Sequence, residues 1–498
     1  MQREKIRVAL CYRGPQHEGR DDFSSFVPVG LFHILKSLLA SGYDASLHNL
    51  SILPAKRMAE AVAATDASAV LISAFYGCHH EAFALARAAK KALPRAVVGL
   101  GGPLAVLAPA ILARVPEIDW VVRGEGEEAV VALLDSHFLG VGDPAGIPGA
   151  VFRGPFGIRE VAPRLLEDID RHFFMPSEVL PRCHQVQPEN LAVLISSRGC
   201  PFHCTFCSST VLWRNRVRHH RPELLVRYLK DLRANTGALY FSLRDENFLV
   251  NRDHVRAFTR ELAAARLHFL WNAQGSPHLI DSELAAELAS AGCDQLQMGI
   301  EALAPRLRAM LGKKGDPAGF GPAITALRNQ AIRPFGYFIY GMGESREEGQ
   351  ASLDFIRKSG LLDAVASPLV LYPGTELATG VAEERFWGKG ELLFHSPDSQ
   401  RQWRERYDAA LAELAGRGDF SGAELRGAPA GNAVSAVASH FHHLRRGELD
   451  RAEQCLARLV ASQPDNPWGY DLLARFHAET GQRAKAKAMR QRLASLLQ

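Results

Sequence analysis

Ser196-Ser-Arg-Gly-Cys200-Pro-Phe-His-Cys204-Thr-Phe-Cys207-Ser208 places three thiols within eight residues, in the spacing C-x3-C-x2-C. Three thiolates can hold three irons of a 4Fe–4S cluster, whereas electron-carrier clusters take a fourth cysteine. No further cysteine lies nearby, so such a loop leaves one iron open to an incoming molecule. The competing reading is a structural zinc site completed by His203. His203 sits between two of the cysteines, and closing a tetrahedron over so short a stretch is cramped.

The context of the loop is a repeated strand–helix unit. Apolar runs read as strands at Leu191–Ile195, Ala238–Leu243, Phe269–Gln274, Gln295–Ile300, Pro334–Tyr340 and Ala364–Leu371. Helical patterns fall between them at Pro222–Asn235, Arg252–Ala265 and Ser282–Ala291. Six such units imply a partial (β/α)6 barrel, with functional residues at the carboxyl ends of its strands. There stand Asp245 and Glu246, then Gln274, then Gly299 and Glu301, then Gly341, Gly343 and Glu344. An ionised Glu301 inside a barrel is costly without a partner, which favours a functional role. The Asp245–Asn251 stretch also reads as a turn that caps the next helix. Glu344 reads as a first-turn acid of the helix that follows it. The run Arg214, Arg216, Arg218, His219, His220 and Arg221 reads as a solvated face with internal ion pairs.

The first 150 residues alternate strands (Ile6–Cys11, Ala69–Ser73, Ala96–Leu100, Ile118–Val122) with helices (Val29–Ser41, Glu81–Leu93). This pattern implies a doubly wound α/β sheet with its ligand at the strand carboxyl ends. Two of those ends carry Gly101-Gly102-Pro103-Leu104 and Arg123-Gly124-Glu125-Gly126-Glu127, whose glycines let backbone approach a large flat ligand. Residues 151–190 read as a linker and 381–431 as an irregular connector. From 432 to 498 two helix pairs follow. Gly447-Glu-Leu-Asp-Arg-Ala452 and Gly481-Gln-Arg-Ala-Lys-Ala486 stand 34 residues apart, the period of a tetratricopeptide repeat. Fewer than three repeats cannot bury a core alone, so this tail is expected to pack on the barrel or on a partner.

At 498 residues the chain exceeds one ordinary core. Its 58 basic and 54 acidic residues nearly balance, which leaves no footprint for nucleic acid or an anionic membrane. Cys11, Cys78, Cys183, Cys293 and Cys455 stand far apart, unlike a disulfide framework. With neither a signal peptide nor a membrane span in the sequence, a cytoplasmic location is expected.

The cysteine loop, with the aromatic Phe206 before its last cysteine, resembles the signature of the radical SAM superfamily. The resemblance implies that Cys200, Cys204 and Cys207 hold the cluster and that S-adenosylmethionine (SAM) chelates the open iron. It further implies that Asp245 or Glu246 pairs with the amino group of SAM. Gly299 and Glu301 would meet the ribose hydroxyls, and Gly341 and Gly343 would pass the adenine. The turn Leu371-Tyr-Pro-Gly-Thr375 resembles the family's barrel-closing element. The loops Gly101-Gly102-Pro103 and Gly124-Glu125-Gly126, with Ser73 at a neighbouring strand end, resemble the cobalamin-binding domains that precede many radical SAM domains. One departure stands in the loop Tyr12–Gly19. His17 lacks the Asp that precedes the cobalt-ligating histidine of other cobalamin domains, so it is not expected to ligate cobalt. The implied architecture is a Rossmann-like cobalamin domain over 1–150, a radical SAM barrel over 191–380 and a helical repeat tail.

The resemblance implies an oxygen-sensitive, cobalamin-dependent radical SAM enzyme. The expected reaction is methyl transfer to an unactivated carbon of a small-molecule, lipid or tetrapyrrole substrate, with electrons from an external low-potential donor. Two alternatives are ring closure without net methyl transfer, and a cobalamin-binding sensor with an inert barrel. The tail favours a protein partner. No catalytic residue is assigned, and the substrate is not identified by sequence.

Overall fold

The computed structural model describes residues 2–14, 26–395, 397–417, 419–429 and 431–497. His17 lies outside the described residues. The chain divides into two compact units. The first comprises Met1–Leu191, Phe206–Arg214 and Val370–Leu392; the second comprises Ala192–Thr205, Asn215–Leu369 and Leu393–Gln498.

In the first unit the strands are β1 (Arg7–Tyr12), β2 (Asp44–Asn49), β3 (Ala69–Ser73), β4 (Val97–Gly101), β5 (Trp120–Val122), β6 (Ala150–Gly154), β7 (Gly157–Glu160) and β8 (Cys183–His184). They form one sheet in the order β7-β6-β5-β4-β3-β1-β2-β8. β5 to β8 by way of β1 is parallel, and β6 and β7 pair antiparallel. The chain leaves β1 for β2 on one side and returns to β3 on the other. That reversal is a topological switch point, the place where such sheets bind ligands. β3 is buried along its whole length, which is why it reads as an unbroken apolar run. The connecting helices include α1 (Val29–Ala40), α2 (His79–Ala92) and α3 (Glu127–Leu139), the last closed by Gly140 in the left-handed conformation.

The structure corrects two sequence readings. The linker over 151–190 supplies the hairpin β6–β7 and the edge strand β8. The hairpin turns at Gly154-Pro-Phe-Gly157, and β7 is exposed along its length, so it carries no apolar signal. The turn Leu371-Tyr-Pro-Gly-Thr375 belongs with the first unit, where a side chain on Gly374 (φ +82°) would meet Val106 and Val211.

In the second unit β9 (Val193–Leu194) opens a six-stranded parallel sheet. A small antiparallel pair comes next, β10 (Ser197–Arg198) with β11 (Arg218–His219). Then come β12 (Tyr240–Leu243), β13 (Leu270–Gly275), β14 (Cys293–Glu301), β15 (Arg333–Tyr340) and β16 (Asp363–Pro368). The order β16-β15-β14-β13-β12-β9, all parallel, is the expected partial barrel. The helices α4 (Ser208–Trp213, first unit), α5 (Pro222–Thr236), α6 (Arg252–Ala264), α7 (Ser282–Ser290), α8 (Phe320–Asn329) and α9 (Arg346–Lys358) lie between strands. Asn251 caps α6, Asp281 caps α7, and Ser345 with Glu348 forms a capping box on α9.

The connector read as irregular over 381–431 holds a 21-residue helix, α10 (Pro397–Arg417), and a short one, α11 (Gly422–Gly427). Among the described side chains of α10 only Tyr407, Ala410 and Leu414 are buried apolar anchors, so its amphipathic signal is thin. The tail forms α12 (Ala433–Arg445), α13 (Leu449–Ser462), α14 (Pro467–Glu479) and α15 (Arg483–Leu497). It packs on the barrel as expected. Phe420, Val434, Leu456, Leu459, Leu472 and Leu473 share a buried cluster with Leu270, Ala331 and Leu362. Trp468 Nε1 donates to the Leu239 carbonyl at 3.1 Å, and the Arg328 guanidinium pairs with Glu424. Among the described residues no helix is long and apolar enough to cross a membrane.

Candidate functional site

The cysteine loop is pinned where it leaves the barrel. Ser197–Arg198 pairs with Arg218–His219, and the His220 N–H donates to the Ser196 carbonyl at 2.8 Å. The basic run is therefore not a uniform solvated face. Arg214, Arg216 and Arg221 are exposed, but Arg218 and His219 form a strand and His220 is fully buried. Behind this pair sits Asp245, fully buried at the end of β12. One of its oxygens accepts the Ser196 N–H; the other accepts the Ser196 and Ser197 hydroxyls, each at 2.6 Å. Burial pushes its carboxyl up to about 6, against the lowering effect of those hydrogen bonds. Its neighbour Glu246 is exposed and accepts the Gly199 N–H at 2.9 Å. Both carboxylates clamp the strand that enters the loop. With both of its oxygens engaged from behind, Asp245 is a brace, and Glu246 is the member of the pair that solvent reaches.

On the far side the loop rests on residues 310–312. The Thr205 N–H and hydroxyl donate to the carbonyls of Leu311 and Met310. A side chain on Gly312 (φ +61°) would lie 2.5 Å from the His203 carbonyl, so only glycine permits this approach. Asn215 Nδ2 donates to Phe202 O, and the Phe202 ring lies 5.3 Å from that of His278. None of the three cysteines of the motif is in a disulfide, and all three are half-buried. Burial pushes the Cys204 thiol up, while the nearby Lys313 draws it down. Phe206 is half-buried, and Cys207 caps α4, with its carbonyl accepting from Thr210. Among the described residues no three His, Cys, Asp or Glu side chains converge on a single metal ion, as zinc with His203 requires.

Glu301 ends β14 in the left-handed conformation at φ +65°, beside a register shift against β15. Such a backbone is strained for a residue with a side chain and persists where function or packing holds it. Its buried carboxylate has the partner that burial demands, Lys313 Nζ at 2.9 Å. A side chain on Gly299 would lie 2.6 Å from Glu301 Oε1 and 2.7 Å from Lys313 Nζ, so that glycine makes room for the pair. Arg308 locks both partners. Its guanidinium donates to the carbonyls of Ile300 and Ala302 on one side and of Lys314 and Gly315 on the other. Lys313 and Arg308 carry no sequence motif that would have marked them; they meet Glu301 only through the turn between β14 and α8.

Glu344 is not a first-turn acid. It precedes the cap Ser345 and folds back to accept the N–H groups of Gly341 and Met342 at 2.9 and 2.6 Å. Gly341 and Gly343 both have positive φ, and the space beside them is held by Gln400 and His395. Gln274, without assigned chemistry from sequence, joins a polar set across the strands. Its amide accepts from Arg244, which also donates to Gln297 Oε1 at 2.6 Å; Tyr337 donates to the same oxygen at 2.8 Å. Arg244, Gln297 and Tyr337 were not legible as a set because they come from three separate strands.

In the first unit the glycine loops gather at the strand carboxyl ends. Ser73 ends β3 at the switch point. A side chain on Gly102 (φ +90°) would strike Ala74 O at 2.7 Å and Ser73 Oγ at 2.9 Å. Pro103 starts a short helical turn, and Leu104 N–H donates to Ala74 O. Gly101, just ahead of this turn, accepts from Ala74 N–H at 2.9 Å. Gly124 (φ +80°) abuts Pro163, and Gly126 caps α3. Glu125 is buried and accepts the Leu166 N–H at 2.7 Å, so its carboxylate fastens the chain after β7. A crevice of about 150 Å³ opens between Gly102, Gly124, Arg123 and Leu212. That volume is below the ~300–1,000 Å³ of ligand pockets.

The chain matches the model of the B12 binding domain over residues 24–134 and that of the radical SAM superfamily over residues 194–356. It is 28% identical over 356 residues to an uncharacterized methyltransferase of Pyrococcus horikoshii, an alignment that covers 70% of this chain and 77% of the relative. It is 27% identical over 361 residues to the anaerobic magnesium-protoporphyrin IX monomethyl ester cyclase of Rubrivivax gelatinosus, covering 69% of this chain and 64% of the relative. Its fold is similar to that of TsrM, a radical S-adenosylmethionine methyltransferase from Kitasatospora setae solved with cobalamin and a 4Fe–4S cluster. That match has a TM-score of 0.66 and 17% identity, and covers 91% of this chain and 99% of the other. The matched segments coincide with the switch-point sheet and with the barrel that carries the cysteine loop: the chain carries a B12 binding domain over residues 24–134 ahead of a radical SAM domain over residues 194–356.

Proposed function

We propose that this protein is a cobalamin-dependent radical SAM enzyme that transfers a methyl group to an unactivated carbon. The observation that carries the proposal is the cysteine loop itself. Three cysteines outside any disulfide stand on a loop braced by Asp245 on one side and by Leu311 on the other, beside the Glu301–Lys313 pair. In a cubane each thiolate meets a different iron, so the donor set fits a cluster and does not need to converge on one ion. When bound, the cluster with SAM supplies a 5′-deoxyadenosyl radical and methylcobalamin supplies the methyl group.

The chain's own residues divide the remaining work. Cys200, Cys204 and Cys207 hold the cluster, with Phe206 beside them. Asp245 positions Ser196 and Ser197 at the root of the loop, and Glu246 and Glu301 offer carboxylates to the amino and hydroxyl groups of SAM. Gly299 gives Glu301 its clearance. Gly341 and Gly343 shape a turn that Glu344 fastens. Ser73, Gly101, Gly102, Pro103, Gly124 and Gly126 lay backbone toward a corrin face, and Glu125 fastens the chain after β7. Arg244, Gln274, Gln297 and Tyr337 orient polar groups inside the barrel.

The test is anaerobic reconstitution with iron, sulfide and cobalamin, a low-potential electron donor and methyl-labelled SAM, offered tetrapyrrole, lipid and small-molecule substrates. Formation of 5′-deoxyadenosine with label in the product is the expected result. Formation of 5′-deoxyadenosine with an unlabelled, oxidised product would favour ring closure, the chemistry of the cyclase relative. Absence of 5′-deoxyadenosine would favour a sensor. Cys204→Ala is expected to lose the iron–sulfur absorbance and all SAM cleavage while retaining cobalamin.

A further inference from the structure

Beyond the cofactor domains, the tail carries a groove of about 910 Å³ between α11, α12 and α13. Its charge is one-sided. Arg426, Arg446, Arg451 and Arg458 line it, all exposed, against one carboxylate, Glu448. Glu448 is already shared among His443 at 2.7 Å, Arg446 at 3.1 Å and Arg451 at 3.2 Å. Arg426 and Arg458 have no carboxylate partner among the described residues. The groove thus gathers cations on the surface of a protein whose charges otherwise nearly cancel.

The spacing of the charges says what kind of anion they suit. Arg451 and Arg458 are seven residues apart on α13, with Gln454 and Cys455 on the same face. At ~1.5 Å per residue this separates the two cations by about 10 Å along the helix. That exceeds the reach of one phosphate or carboxylate, and equals about three residues of extended chain at ~3.3 Å each. On the opposite wall the Ser439 hydroxyl and the amide N–H groups of Asn432, whose oxygen caps α12, are neutral hydrogen-bonding groups suited to peptide backbone. No Phe, Tyr or Trp lines the groove; its only rings are the imidazoles of His442 and His443, so it lacks the large stacking platforms typical of single-stranded nucleic-acid sites.

We propose that this groove is a docking site for an extended acidic peptide segment of a partner protein, read by Arg426, Arg451 and Arg458. Leu459 and Ala428 line the groove and also belong to the buried cluster with Leu270 and Leu362, so the groove abuts the tail's packing on the barrel.

The experiment uses the full chain and a fluorescein-labelled hexaglutamate peptide, read by anisotropy in low and in physiological salt. Binding is expected at low salt, weakened at least tenfold in Arg426→Glu/Arg458→Glu and about as much by physiological salt. Arg426→Gln/Arg458→Gln, which removes charge without reversing it, is expected to give an intermediate loss. Unchanged melting of both variants checks that the tail stays folded; a variant that melts early is replaced by the single Arg458→Gln. No binding at low salt, binding that ignores these substitutions, or tighter binding of an oligothymidine of equal charge would each overturn the proposal. So would inorganic pyrophosphate competing as well as the peptide.

Discussion

Glu301 gathers two costs at one position. It combines a left-handed backbone with a buried charge, and each is tolerated because something adjacent accounts for it: Gly299 for the space, Lys313 for the charge, Arg308 for the turn. Breaking such a pair leaves an uncompensated buried charge and costs about 3–5 kcal/mol, whereas removing both charges together is far milder. Lys313→Met is therefore expected to lower stability by about 3 kcal/mol, and Lys313→Met/Glu301→Gln to recover most of that loss. Urea unfolding of the two variants checks it; a double variant no more stable than the single would contradict the pairing. At this scale the sequence was legible wherever chemistry is local. The cysteines, Asp245 and Glu301 stand in short motifs. Lys313, Arg308 and the Arg244–Gln297–Tyr337 set do not, because their partners are distant in sequence and only the barrel brings them together. Asp245 was legible as a residue but not as a brace, since the serines that occupy it lie 48 and 49 residues earlier.

At the scale of elements, the buried parallel strands were read to within three residues at each end, because burial on both faces leaves an unbroken apolar run. β2 was missed: Asp44-Ala-Ser-Leu-His-Asn49 alternates buried and half-buried positions, and its polar half hides the run. The hairpin β6–β7 and helix α10 were missed for the same reason, too few apolar anchors. One strand has a pH signature. Asp294, near the start of β14, accepts the Tyr240 hydroxyl at 2.8 Å, and burial pushes its carboxyl up to about 6. A carboxyl raised by folding favours the native state most below its unfolded pKa, ~3.9, and that contribution is lost as pH rises through about 6. Asp294→Asn lacks this loss. Its melting temperature minus that of the parent is expected to rise between pH 4 and pH 7, and a difference independent of pH would contradict the assignment.

For the whole molecule, the tail is structural as well as a candidate docking surface. Leu270, Ala331 and Leu362 of the barrel are covered by Phe420, Val434, Leu456 and Leu473. Each large apolar side chain buried stabilises the fold by ~1.5–3 kcal/mol, and uncovering several at once leaves an exposed patch of the kind that associates. Removal of residues 432–498 is expected to give a protein that melts earlier and aggregates; size-exclusion chromatography and thermal melting check this. Unchanged solubility and melting would show that the barrel does not need its tail.

The brace at Asp245 bears finally on how the cysteine spacing is kept. Ser196 and Ser197 are fixed by a carboxylate from β12, Thr205 by carbonyls at 310–311, and none of these bonds involves a thiol. The rim of the loop is thus tied to the barrel through oxygen and nitrogen groups that are separate from the sulfurs. A change at Asp245 or Thr205 would therefore shift the spacing of the three thiols while leaving every sulfur in place.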